Sequence, residues 1–172
     1  MAKSDSFFIR GSVNLGNTDS TDWAQTAIDL GAYVDALGKS VLRIHNIAIS
    51  ITDSLGASPD LLADKDGAAQ FQLSTQTQTG LVLDTNKGII ASGMVNAEET
   101  SGADGVAGNV SESFNNLPQL WTNGYLVAVD TMYLSGQAST GFKEDVYCSM
   151  IAECTVETMS QAAAMALALS QQ

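Results

Sequence analysis

His45 is the single histidine of the 172-residue chain, and Cys148 and Cys154 are its two cysteines. An imidazole general base needs a nucleophile and a carboxylate converging on it. No serine stands in a G-x-S-x-G elbow, and His45 lies in the strongly β-forming run VLRIHNIAI, where alternation puts it on one face with Arg43 and Ile47. A structural or interface role is therefore the expectation for His45, and no catalytic residue is assigned. The cysteines sit in VYCSMIAECTV. On a strand, six residues separate them by roughly 20 Å, far beyond the about 7 Å between Cα atoms that a disulfide tolerates. Their spacing suits no metal site. Two buried thiols on one face, beside Val146, Met150 and Val156, are expected.

The carboxylates offer a second chemistry. Asp64-Lys65-Asp66-Gly67 resembles the start of a calcium loop, but placing Gly67 at loop position 6 puts Leu62 and Leu73 at positions that need oxygen ligands. The EF-hand reading fails. A looser loop-bound cation would draw on Asp64, Asp66, Glu98 and Asp104, with Glu99 beside them; solvated carboxylates are the simpler expectation. Gly102, Gly105 and Gly108 recur every three residues without a phosphate-binding lysine or a strand–helix unit, so they read as backbone freedom in a loop. No cofactor is implied.

Composition narrows the classes further. Lys and Arg number 7 against 19 Asp and Glu, a formal net charge of −12, which opposes nucleic-acid binding by a basic surface. Hydrophobic residues make up 45% and charged residues 15% of the chain, the reverse of a disordered composition. No secretory leader is expected in MAKSDSFFIR, and no apolar run has the length of a membrane-spanning helix.

The elements that must position these residues are mostly strands, since period-two patterning dominates. FFIRGSVNL alternates Phe7, Ile9, Gly11, Val13 and Leu15 against Phe8, Arg10, Ser12 and Asn14. SVLRIHNIAISIT, QFQLSTQTQT, GIIASGMVNAE, TNGYLVAVDTMYLSG and VYCSMIAECTVETM follow, with shorter candidates at Ala27–Leu30 and Gly80–Asp84. Gly-, Asp- and Ser-rich connections join them, the longest being residues 98–116. A short turn is expected over Ala32–Leu37. SQAAAMALALS, residues 160–170, opens on an N-capping Ser160 and is rich in helix formers. It is apolar nearly all round, so it must be covered by its own domain or by a neighbour. The expectation is one domain over residues 1–172, mainly β: an antiparallel sandwich, most simply a single jelly roll of about eight strands with a short C-terminal helix. An immunoglobulin-like sandwich ranks second because its Cys…Trp…Cys spacing is missing.

QFQLSTQTQT carries an uncharged face of Gln, Ser and Thr able to bond water, a neighbouring strand or another chain. Charge is depleted in interface cores, so low charge on a β surface favours a self-assembling protein. Three stretches, FFIRGSVNLG, IDLGAYVDALGKSVLRIHNIAISITD with AQFQLSTQTQTGLVL, and VYCSMIAECTVETMSQAAAMALALSQQ, resemble in style and order the small single jelly-roll capsid proteins of tailless icosahedral viruses of bacteria and archaea. The resemblance implies a virion shell subunit, made in the host cytoplasm, that contacts copies of itself and other virion proteins through loops and termini. Phe7, Phe8, Trp121, Met165 and Leu169 are the interface candidates. The first ten residues hold only Lys3 and Arg10 as cations, so such a subunit is not expected to bind nucleic acid directly. The competing reading is a carbohydrate- or calcium-binding sandwich, or a virion decoration protein; an enzyme on this scaffold, such as a cupin, would need more histidines.

Overall fold

The alternating segments form two packed sheets in the computed structural model, which describes residues 4–16, 23–35 and 39–172. In chain order the strands are β1 (Phe7–Gly16), β2 (Ala24–Asp29), β3 (Ser40–Thr52), β4 (Asp60–Leu61), β5 (Asp66–Ser74), β6 (Ile89–Glu98), β7 (Gly105–Val106), β8 (Asn109–Asn115), β9 (Tyr125–Val127), β10 (Thr131–Ala138) and β11 (Val146–Thr158). Helix α1 (Leu117–Leu120) precedes β9, and α2 (Gln161–Ser170) follows β11.

One sheet has the order β1-β11-β3-β9 and the other β2-β10-β5-β6-β8. The principal strands pair from the outside in: β1 with β11, β2 with β10, β3 with β9 and β5 with β6, each antiparallel. The chain is thus a long two-stranded ribbon rolled up so that successive pairs fall in alternate sheets. That is the topology of a jelly roll. β8 extends the second sheet by one strand, and β4 and β7 form a separate two-residue ribbon.

The inward residues alternate as strands require. Ile9, Val13 and Leu15 meet Val146, Cys148, Met150, Ala152 and Cys154 from the neighbouring strand, and Phe71, Leu73, Met132 and Leu134 close the core from the second sheet. Both cysteines are free and buried in this core, where burial pushes each thiol up to about 12.

Several expectations are corrected. Asn46 pairs with Glu153 but Ile44 with Cys154, so His45 is an extra residue, a β-bulge. The bulge reverses the alternation of β3: Leu42 and Ile44 are buried before it, Ile47 after it, so Ile47 does not share a face with Arg43 and His45. On β11, Val156 is half-buried and Glu157 takes the buried position. Half of the expected 98–116 loop is strand, with β8 paired to β6 along its length. TNGYLVAVDTMYLSG is two strands in different sheets, parted at residues 128–130, and Gly80–Asp84 is not a strand. A turn at residues 31–33 is closed by the Tyr33 and Val34 amides on the Leu30 carbonyl; Ala36 and Leu37 lie outside the described residues.

Candidate functional site

The uncharged face of β5 is closed within the chain. Gln72 and Ser74 are buried, and the strand ends before Thr75. Residues 81–85 fold back over it: Gln72 Nε2 donates to the Val82 carbonyl at 2.6 Å, and the Val82 amide donates to Gln72 Oε1 at 3.1 Å. The side-chain amide therefore behaves like one more backbone unit. Of the partners open to this polar face, water, a neighbouring strand or another chain, Gln72 takes an intramolecular segment that has no strand partner of its own.

The seat of α2 is built in the same way. Ser160 caps the helix by accepting the Ala163 amide at 3.3 Å. Its buried residues are Ala164 and Ala168, packed on Val41 and Ala128 with Leu126, Met159 and Leu167 around them. Beyond the helix, Gln171 is 3% exposed. Its side chain donates to the Leu126 carbonyl at 2.6 Å and accepts the Ala128 amide at 2.9 Å. These are backbone groups along the free edge of β9, so one glutamine caps the edge of the four-stranded sheet. The Gln171 carbonyl accepts from Thr75 Oγ1 at 2.9 Å and Gln76 Nε2 at 3.1 Å, tying that edge to the end of β5.

Arg43 and Glu157 complete this corner. Arg43 Nε and Nη2 donate to the two Glu157 oxygens at 2.7 and 2.8 Å, and Arg43 Nη1 donates to the Asn123 carbonyl. The pair is largely buried, with side chains 13% and 7% exposed. The Glu157 hydrogen bond raises the Arg43 pKa. Asn123 begins the turn into β9, where Gly124 has φ +63 and lies against the Ile44 carbonyl; a Cβ there would strike backbone. Trp121 stacks on Tyr125 at 5.9 Å between ring centroids. Arg43, Lys87, Tyr125, Leu126, Leu167 and Gln171 line a shallow groove of about 520 Å³ beside α2.

The interface candidates divide. Met165 and Leu169 point away from the alanine seat, 42% and 68% exposed, and Trp121 is 45% exposed on the neighbouring corner beside Leu120. Phe8 is exposed on the outer face of β1 with Arg10 over its ring. β1 lies three strand spacings from β9, roughly 14 Å. Phe7 does not join them: it stacks on Tyr33 at 4.6 Å and packs against the core. Composition alone did not reveal Leu120 and Ile151, also exposed.

Of the carboxylate candidates, Glu98, Glu99 and Asp104 are bound by the chain itself. Glu99 accepts from the amides of Asp64, Ser101 and Gly102 and from the Ser101 hydroxyl. The Ser101 hydroxyl, then these amides, lower its pKa to about 2. Asp104 accepts the Ala63 amide at 2.9 Å and faces Lys143 at 3.4 Å; Asp64 adopts φ +56 in the turn. Glu98 accepts from Asn109 Nδ2 at 3.2 Å, and Asp66 opens β5 opposite it. Among the described residues no three His, Cys, Asp or Glu side chains converge as metal ligands. His45 Nε2 lies 3.0 Å from Thr155 Oγ1, on a hydroxyl that is itself buried.

Strand order and pairing define an antiparallel β-sandwich of the jelly-roll class. Comparison with family models and with curated proteins finds no match. Among solved structures, the chain is similar to one of Desmodium yellow mottle tymovirus, with 13% identity, 90% of this chain and 87% of that one covered, and a TM-score of 0.42. It is also similar to the Merkel cell polyomavirus VP1 unassembled pentamer, with 9% identity, coverage of 88% and 94%, and a TM-score of 0.38. A turnip yellow mosaic virus structure gives 8% identity, coverage of 91% and 80%, and a TM-score of 0.38. The fold assignment rests on the strand order and pairing themselves.

Proposed function

We propose that this protein is a non-enzymatic virion shell subunit that assembles with copies of itself and with other virion proteins. The observation that carries the reading is α2. Its inner face uses Ala164 and Ala168 to sit close on its own domain, with Leu167 partly packed beside them, while Met165 and Leu169 face outward. A helix built to stabilise a free monomer would bury leucine and expose alanine, because burying a Leu side chain gains about 1.5–3 kcal/mol. Trp121 and Leu120 are also exposed, near the start of β9, and Phe8 and Ile151 are exposed on the outer face of β1 and β11 at the other edge. Each contact needs only about 800 Å² per partner. The formal charge of −12 leaves neutralisation of a packaged genome to other components.

Light scattering across a salt series, with electron microscopy of the same samples, tests this. Closed particles are the expected result, and a double Met165→Glu, Leu169→Glu variant with an unchanged melting temperature should remain small. A wild-type protein that stays monomeric at high concentration in every salt condition overturns the reading.

A further inference from the structure

We propose that β8 is a self-pairing edge: two copies join antiparallel about a twofold axis through Glu112, fusing their larger sheets into one, with the two Glu112 carboxylates setting the strength of the join. β8 is the outermost strand of its sheet, bonded to β6 on one side, and its residues are exposed except for Phe114. Among the described residues no strand pairs along its other side; the side-chain bonds of β8 are those of Asn109 to Glu98 and Asn115 to Asp84. An edge strand in that state presents a row of backbone donors and acceptors suited to another strand.

The occupant follows from the sequence of the strand, NVSESFN, whose midpoint is Glu112. Antiparallel pairing centred there sets Asn109 opposite Asn115, Val110 opposite Phe114 and Ser111 opposite Ser113 of the second copy. The amides meet amides, the hydroxyls meet hydroxyls and the apolar residues meet each other. Phe114 points to the core, where its ring meets Phe71 edge-on at 5.7 Å, so period two places Val110 and Glu112 on that inner face and the serines and asparagines outside. Centring on Ser111 instead would set Val110 against Glu112 and leave two residues unpaired. The symmetric register is thus complementary at every position but one, where two like charges stand about 4.5–5.5 Å apart at Cα. Like charges directly opposite destabilise a pair, and opposite charges stabilise it.

The proposal needs only this edge and stands apart from the shell reading. Sedimentation equilibrium at low salt, below the concentration at which particles form, tests it with wild type, a Glu112→Lys variant and their equimolar mixture. The mixture, which opposes Lys to Glu, should associate at least about fivefold more tightly than either protein alone. Glu112→Gln should associate more tightly than wild type at low salt and lose most of the salt dependence. Hydrogen exchange should then slow within residues 109–115. A mixture no tighter than wild type, or protection that appears at another edge, overturns the proposal. Particles forming while the mixture shows no preference would sink edge pairing and leave the shell subunit; the opposite pattern would do the reverse.

Discussion

The two sheets end differently on the side where β9 and β8 lie. At β9 the chain closes its own edge: Gln171 takes the Leu126 carbonyl and the Ala128 amide, α2 lies over the corner, and Arg43 binds both Glu157 and the turn that starts the strand. At β8, a strand more than twice as long by its bounds, the outer side is left to solvent, and the residues facing out are Asn and Ser. The lesson is that polar groups do opposite work at the two edges. Where they are buried they fix one geometry, because each is satisfied only in that geometry. Where they are exposed they keep the edge wettable without blocking it.

Removing the guanidinium at the closed edge should have the largest effect. Arg43→Ala takes a bidentate partner from a carboxylate that is 7% exposed, a change that typically costs about 3–5 kcal/mol. Urea unfolding should register it, and Arg43→Lys should recover only part, since an ammonium cannot reproduce the fork. A loss under about 1 kcal/mol would mean that the corner is held by α2 instead.

Gln171→Ala comes next. A buried amide and a half-buried carbonyl lose their partner, for an expected loss of about 1–3 kcal/mol, with faster hydrogen exchange at Ala128. If the variant also self-associates through β9, the two edges differ only by this one side chain. The smallest effect belongs to the open edge: Ser113→Ala, on an exposed position, should change stability by less than about 0.5 kcal/mol. A larger loss would show that β8 is already structural in the single chain.

Much of the fold was legible where one face is buried and the other wet. β1 follows its alternation almost residue for residue, β11 does so up to Cys154 and β6 from Gly93 onward, and Ser160 with the alanine-rich run marks α2. The bulge at His45 also left a trace: apolar residues step by two up to Ile44, then by three to Ile47, then by two again. Strand β8 left none, because both of its faces are mostly exposed and NVSESFN has no apolar alternation to read. The 125–138 segment looked continuous because both of its strands are apolar; the switch of sheet at residues 128–130 depends on partners far away in sequence. Among the interface candidates, exposure rather than residue type separates Phe8 from Phe7, adjacent positions that alternation sends to opposite faces.

What the sequence determined by itself was local and periodic: a β-rich chain, a capped helix after its last strand, buried thiols too far apart to join, and a formal net charge of −12. Tertiary structure alone decided which polar groups are spent inside the molecule. The glutamine face that reads as an outward surface is occupied by residues 81–85, and Gln171 reaches back to an edge more than forty residues earlier. A side-chain amide has the same hydrogen-bonding capacity in either place, and only the fold settles whether its partner is the chain itself, water or a second copy.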